Sequence, residues 1–321
     1  MAGESKEAPT TSKIGGATFF PMMTPRPQYP SVRMWLYKVL VAYTRAPLLM
    51  ALGAKALQGP FLAVVQALAA RGLSERASFV AIAVAIRVLF YAVFNGVFEV
   101  AEHRGWLKEY RIAMKPAQRG SESLMRRTLT DALLGHALLG PLAMWFLFPL
   151  AKYCGMDPLA AQLPGLATLY AQFALAHFWN DFFFYWAHRS LHSEALYKII
   201  HKQHHSWLAT ESVAAEFSHP VEQVFANFFP TLGGSLLFGR HPLMFFVWLM
   251  FRLEETYEAH SNFYFGNTWL AKIGLTHSEN AAFHSHHHSR NAGNFGMWHM
   301  DYAVSCVARR GPHCARARVP F

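Results

Sequence analysis

Three long apolar segments constrain the fold of this chain more than any other feature of its sequence. Ser78–Val100 carries only Arg87 and Glu99 as charged residues, whereas Ala132–Ala151 and Pro158–Asn180 carry none. A helix needs about 20 mostly apolar residues to cross the hydrocarbon core of a bilayer. Each segment is long enough, so we predict that all three span a membrane.

The remaining apolar segments are weaker or shorter. Ala46–Ala70 contains Lys55 and is expected either to span the bilayer or to lie along its surface. Gln223–Gly239 and His241–Phe251 flank Arg240, and we expect a tilted or re-entrant hairpin there. Leu, Ala and Phe dominate these runs, and the alternation typical of strands is rare. We therefore predict an all-α integral membrane bundle of about four transmembrane helices with a cytosolic, histidine-rich helical cap.

The charge distribution orients this bundle. Charged residues make up 15% of the chain and its net charge is +10, whereas soluble domains carry about 25% charged residues. The basic residues lie between apolar stretches, which favours an anionic membrane surface as partner and argues against nucleic acid. Those between the first two predicted spans are Arg104, Lys108, Arg111, Lys115, Arg119, Arg126 and Arg127. By the positive-inside rule this loop is cytosolic, and the later spans then bring residues 188–219 and 260–288 to the same side.

Eighteen histidines are present, and eight of them form three clusters in the second half of the chain. On a helix, the spacings i, i+3 and i+4 place side chains on one face. A single histidine on an apolar helix is usually a packed core residue, but three such clusters indicate metal binding. The eight residues are His188, His192, His201, His204, His205, His284, His287 and His288.

Asp181 precedes the first cluster and shares its helix face, because it lies seven positions before His188. It is either a polar residue at a helix end or a hydrogen-bond partner of a ligand imidazole. We favour the second interpretation, since a carboxylate there would fix the ring tautomer.

The number of histidines bears on the choice of metal. Structural zinc sites use four ligands and often cysteine, yet Cys154, Cys306 and Cys314 form no CxxC pair. The HExxH motif of metalloproteases is absent, because Arg189 follows His188. Imidazole suits Zn, Cu, Fe and Ni alike. Eight ligands favour two ions, and a lipid substrate favours iron with O2, because an unactivated C–H bond requires a strong oxidant.

The histidine clusters and the segments between them resemble a known family. The sequences His188-Arg189-Ser190-Leu191-His192, His201-Lys202-Gln203-His204-His205 and His284-x-x-His287-His288 resemble the fatty acid hydroxylase/sterol desaturase superfamily. The resemblance covers roughly Phe173 to Asp301 and is closest to the C-4 methylsterol monooxygenase branch. The segments that indicate this branch are Ala215–Glu222, Arg252–Thr256, Ala259–Ser261, Asn294–Gly296 and Asp301.

The resemblance implies a non-haem di-iron, O2-dependent oxidoreductase of the endoplasmic reticulum membrane. Such an enzyme oxidises a lipid, here a sterol C-4 methyl group, with electrons from NAD(P)H through cytochrome b5 or a reductase. It also implies that the eight clustered histidines are metal ligands and that His260 is a further one. His219 is implied as either a ligand or a residue that orients one.

The sequence departs from the family pattern in two places. Ser285 and His286 fill the centre of the last cluster, where the family usually has aspartate and an aromatic residue. Loss of that aspartate would weaken the site unless His286 substitutes for it. Extra residues around Thr276–Ala282 include His277, which is either an added ligand or, as we favour, a solvated loop residue.

The expected organisation has four parts. They are a disordered tail at 1–32, membrane helices with the basic loop at 33–165, a fatty acid hydroxylase/sterol desaturase-like catalytic domain at 166–301, and a basic tail at 302–321. Three alternatives stay open: a fatty acid or other lipid hydroxylase or desaturase, a membrane metal transporter, and a bis-histidine haem protein. The transporter is disfavoured because the clusters follow the predicted spans, and the haem protein because it would need isolated, opposed histidines.

Overall fold

A computed structural model describes residues 13–14, 17–18, 32–114, 118–277, 279–291, 293–296 and 299–308. Within them the strands are β1, Lys13–Ile14, and β2, Ala17–Thr18, which pair antiparallel. Apart from this ladder, Val32 and residues 302–308, the two expected tails lie outside the described residues.

Twelve α-helices account for most of the described chain. They are α1 Val32–Ala70, α2 Glu75–Arg104, α3 Glu122–Leu134, α4 Gly140–Tyr153, α5 Leu166–Leu191, α6 Glu194–Leu196, α7 Pro220–Glu222, α8 Phe229–Phe238, α9 Pro242–His260, α10 Trp269–Ile273, α11 Asn280–Arg290 and α12 His299–Ala308. Shorter π-helical turns are Gly135–Leu139, Tyr197–His201 and Gln223–Phe228, and 3-10 turns are Lys108–Tyr110, His204–Ser206 and Ser212–Glu216. The prediction of a helical protein is confirmed.

Capping residues explain where the helices on either side of the basic loop begin and end. The Ser74 side chain accepts from the backbone N–H of Ala77 at the start of α2, and the Ser121 side chain caps α3 in the same way. Gly105 ends α2 with φ +65°, a left-handed conformation that glycine adopts without strain. The basic loop therefore lies between two well-defined helix ends.

Three helices in the described ranges are long and apolar enough to cross a membrane: Trp35–Ala70, Glu75–Arg104 and Glu122–Tyr153. The first extends the weak segment at 46–70, and the other two contain the predicted spans. The third expected span, Pro158–Asn180, does not appear among them, and α5 begins only at Leu166. Its second half carries polar residues that face the protein interior, so a fourth span stays a prediction.

The interior is built around α5 and α9. Helix α5 packs against α1 and α8, and α9 packs against α1, α2 and α11. Their shared core includes the fully buried Phe79, Phe173 and Trp248. The expected hairpin is formed by α8 and α9, which contact each other. This packing brings the C-terminal ends of α5 and α9 and the middle of α11 to one place.

Candidate metal centre

Four segments supply the clustered histidines. Helix α5 carries His188 in its last turn, and His192 caps its C-terminus. The π-helical turn 197–201 ends at His201, and the following 3-10 turn begins at His204. His260 is the last residue of α9. The third cluster lies in the second half of α11.

These residues form two groups of ligand atoms. The first group is His188, His192, His201, His205 and His287, and the second is His204, His260, His284 and His288. Within each group the ligand atoms lie within 4.8 Å of one another. Nine of the ten expected ligands are thus brought together, five in one group and four in the other.

Each HxxHH cluster contributes to both groups. His204 belongs to the second group, whereas its neighbours His201 and His205 belong to the first. On α11, His287 belongs to the first group, and His284 and His288 belong to the second. The two groups also touch, because the rings of His205 and His288 stack with centroids 4.5 Å apart.

Backbone carbonyls fix which nitrogen of these rings faces inward. The Nδ1 atoms of His188, His287 and His288 lie 2.7, 2.6 and 2.7 Å from the carbonyls of Phe295, Gly293 and Trp207. His260 and His204 make the same contact with Thr256 and Phe217, at 2.8 and 3.2 Å. A carbonyl only accepts, so each Nδ1 must carry the proton, and a neutral ring then presents a bare lone pair on Nε2.

Those Nε2 atoms face one another. In the first group, the Nε2 of His201 lies 3.0 Å from those of His188 and His192, and the Nε2 of His287 lies 3.1 Å from those of His192 and His205. Where both rings carry their proton on Nδ1, as the contacts of His188 and His201 indicate, two Nε2 lone pairs at this distance repel unless a cation lies between them. Two imidazoles that bind one ion at about 2.1 Å and at right angles have nitrogens about 3.0 Å apart. The donor set therefore fits a bound metal ion.

The second group has the same character. The Nε2 of His284 lies 2.8 Å from that of His260 and 3.0 Å from that of His288, and the His288 and His204 nitrogens are 3.1 Å apart. With all four directed at one point, this group fits a second ion. The two groups together explain why the chain needs so many histidines.

Burial keeps the rings in the form that binds metal. Burial lowers the pKa of His204 to about 4. Burial, together with the nearby His204, lowers the pKa of His192 to about 4 and that of His260 to about 3. Burial also lowers the pKa of His188, His287 and His288 well below the ordinary value. At neutral pH these imidazoles are uncharged and their lone pairs are available.

Glu222 is a site residue that the sequence did not single out. Its Oε1 lies 2.9 Å from Nδ1 of His201, and its side chain is 5% exposed. Burial raises the pKa of Glu222 well above the ordinary value, so nearby bound cations are what would keep it ionised. A carboxylate on Nδ1 orients the ring and raises its basicity as a ligand. The signal available was the position of Glu222 three residues after His219 in the resembling segment.

Two expected site residues lie outside both groups. The Nδ1 of His219 accepts from the backbone N–H of Val221 at 3.2 Å and so caps α7. Asp181 is fully buried and accepts from Tyr43 at 2.6 Å and from His299 at 2.8 Å. The bonds of Asp181 thus tie α1 and α12 to α5, and no described contact joins it to a histidine of either group.

The departures from the family pattern also have defined positions. The Ser285 hydroxyl donates to Asn262 at 3.3 Å, and His286 is buried outside both groups. His277 is not a solvated loop residue, because its side chain is only 12% exposed and contacts Glu254 and Glu255. Contacts with Glu254 and Glu258 hold His277 against α9 and remove it from solvent.

An open cleft reaches the second group at His260 and His284. Much of its wall is apolar, with Met144, Phe184, Phe228, Leu249 and Leu253. Apolar clefts with a few polar groups typically hold small hydrophobic ligands. One wall is polar and includes Arg87 and Glu216.

The polar wall joins a membrane helix to the rest of the protein. Arg87 of α2 lies 3.2 Å from Glu216, and both side chains are 11% exposed. Glu216 also accepts from Tyr257 and lies 3.4 Å from His136. A charged residue within a membrane-spanning segment is costly unless it is paired. The ion pair with Glu216 therefore lowers the cost of holding Arg87 within α2.

Residues 173–305 match the model of the family described as fatty acid hydroxylase. Methylsterol monooxygenase 2-2 of Arabidopsis thaliana is 33% identical over 194 residues, which cover 60% of this chain and 69% of that protein. Very-long-chain aldehyde decarbonylase GL1-11 of Oryza sativa subsp. indica is 30% identical over 187 residues, covering 58% and 68%.

Fatty acid hydroxylase domain-containing protein 2 of Macaca fascicularis is 28% identical over 218 residues, which cover 67% of this chain and 62% of that protein. The chain thus spans less than two thirds of that relative. No solved structure matches the chain.

Proposed function

Because the chain belongs to the fatty acid hydroxylase family, we propose that it is a membrane-bound, non-haem di-iron enzyme that uses O2 to oxidise a lipid C–H bond. The observation that carries this proposal is the convergence of nine imidazole Nε2 atoms beside an apolar cleft. The first histidine group would hold one ion and the second group the other.

Bound iron would supply the reduction of O2 and the oxidation of the C–H bond, with electrons from NAD(P)H through cytochrome b5 or a reductase. For a hydroxylation the balance is one C–H bond, one O2, two electrons and two protons, giving an alcohol and water. The chain's own contribution is geometric. Backbone carbonyls hold the ring protons on Nδ1, Glu222 orients His201, and the apolar wall keeps water from the substrate.

We propose a sterol C-4 methyl group as the substrate. The name of the Arabidopsis relative and the segments between the histidine clusters support this choice. The apolar wall of the cleft suits a rigid hydrocarbon. We place the enzyme in the endoplasmic reticulum membrane with its histidines towards the cytosol, where reducing partners are available.

A second candidate is oxidation of a fatty chain by hydroxylation or desaturation, and the rice relative, named for very-long-chain aldehydes, supports it. A metal transporter is less well supported, because the helices that carry the histidine groups, α5, α9 and α11, are not among the three candidate spans of the described chain.

Lipid profiling of cells that lack the enzyme distinguishes the two substrates. We expect 4,4-dimethylsterols to accumulate and to return to normal when the gene is restored. If sterols are unchanged and fatty chains are altered, a fatty chain and not a sterol is the substrate. Purified protein supplied with iron, a reductant and the accumulated sterol should consume O2 and oxidise the methyl group. Metal flux without a lipid product would contradict the proposal that the protein is an enzyme.

A further inference from the structure

A third cluster of metal-ligating side chains lies outside both histidine groups. Glu254 and Glu258 are one turn apart on α9, and His277 approaches them from the segment before α11. One ligand atom from each lies within 4.8 Å of the others. Positions i and i+4 of a helix share a face, so both carboxylates are directed at the same point.

Both ring nitrogens of His277 face carboxylates, and Nε2 is the one on the side of Glu254. Its Nδ1 lies 3.5 Å from Oε1 of Glu255, and its Nε2 contacts Glu254. Its backbone N–H points at both oxygens of Glu258, at 3.0 and 3.1 Å. A carboxylate on one ring nitrogen is the usual way in which proteins orient the other nitrogen towards a metal. The ring is therefore fixed on both sides.

The charges of this cluster balance without a metal only if His277 and one of the carboxylates each hold an extra proton. Glu254, Glu255 and Glu258 bring three carboxylates, and Arg252 pairs with Glu255. Glu255 and Glu258 are each 3% exposed. Buried carboxylates need a counter-charge, and two negative charges are left after Arg252 is counted. One divalent cation supplies both, whereas without it two protons would have to be held there.

We propose that Glu254, Glu258 and His277 bind a third divalent cation. Mixed carboxylate and imidazole ligands suit ions such as Zn²⁺, Mn²⁺ or Fe²⁺. A second cleft of about 880 Å³ is lined by Glu255 and His277 and connects the cluster with the surface. The ion links α9 to the segment that leads into α11, and so it holds in place the helix that carries His284, His287 and His288.

Metal stoichiometry tests this proposal without depending on turnover. The full-length protein, purified in detergent and stripped of metal, is dialysed against Zn²⁺, and bound metal per chain is measured by mass spectrometry. We expect the wild-type protein to bind three ions. Glu254→Gln and His277→Gln should each bind two, with the affinity of the third site at least tenfold weaker. Glu279→Gln, which changes a carboxylate in the same cleft outside the ligand set, should keep three.

The two remaining ions show whether a variant has folded, since the histidine groups need α5, α9 and α11 in place. If a variant loses all metal, Glu258→Gln is the replacement test of the same site. Saturation of the wild-type protein at two ions, or three ions retained in both Glu254→Gln and His277→Gln, would overturn the third site and leave the proposed oxidase intact. A single ion that these variants remove would instead support the third site and contradict the di-metal centre.

Discussion

Individual hydrogen bonds decide what each histidine in this site can do. His204 and His219 are both expected ligands of the metal centre. Of the two, His204 has its Nδ1 on a backbone carbonyl and its Nε2 directed at other imidazoles. We expect His204→Ala to abolish turnover, because the second group falls from four ligands to three. His219→Ala should keep most activity, since His219 only caps α7. Oxidised product per bound iron, with membrane retention as control, separates the two.

Glu222 acts through His201 and not on substrate. Replacing Glu222 with alanine removes the carboxylate that orients this ring, and losses of this kind weaken metal binding or activity by about 10–100-fold. We expect a loss of that size in iron affinity for Glu222→Ala, measured with a competing chelator. Glu194→Ala is the matched control, since Glu194 lies at the surface and pairs with Lys198. Equal affinity in both variants would remove Glu222 from the site.

At this scale the sequence predicted more than it missed. The spacing of the three clusters and the family resemblance predicted the nine histidines that the fold brings together. Glu222 lies in a resembling segment, but its contact with His201 and the contact of His277 with Glu254 have no spacing signal, because the partners are 21 and 23 residues apart and meet only in the folded chain. Such contacts are properties of the fold and have no local pattern in the sequence.

At the scale of helices, a single polar contact between two elements can contribute much of the stability. Arg87 joins α2 to the turn that ends at Glu216. Arg87→Met leaves a buried carboxylate unpaired, which costs about 3–5 kcal/mol when an ion pair is broken on one side. We expect a clearly lower thermal midpoint in detergent for Arg87→Met. Adding Glu216→Gln should recover most of the loss, because no unpaired charge remains. A double variant as unstable as the single one would show that Arg87 acts by packing alone.

Helix type and position were predictable for α2 and α4, whose apolar length is a local property. The boundaries of α5 were not, since the predicted span began at Pro158 and the helix begins at Leu166. Its polar residues His177, Asn180 and Asp181 are buried against neighbouring helices, and hydropathy alone does not distinguish that environment from lipid. The division of each HxxHH cluster between two groups was also hidden. For residues 201–205 it depends on a short π turn and a 3-10 turn.

For the whole molecule, the basic loop predicts orientation. Cys154 is exposed at the far end of α4, on the opposite side of the membrane from Glu109 in the basic loop if α3 and α4 cross together. In a protein with Cys306→Ser and Cys314→Ser, an impermeant thiol reagent applied to sealed microsomes should leave Cys154 unlabelled until detergent is added. A cysteine introduced by Glu109→Cys, with Cys154→Ser, should be labelled at once. The reverse pattern would place the histidines in the lumen.

The division of each HxxHH cluster between the two groups has a consequence for how the enzyme matures in a cell. In the proposed di-metal centre, the first ion to arrive would fix residues 201–205 and α11, and would thereby also position His204, His284 and His288 for the second. Because the first ion already orders these residues, the second ion binds at a lower entropic cost, and loading should be cooperative. When iron is scarce, we expect a population divided between empty and fully loaded molecules, with few that carry one ion. Native mass spectrometry at substoichiometric iron would count them, and a statistical distribution of ions would contradict the coupling. Scarcity would then reduce the number of active enzyme molecules while leaving each one complete.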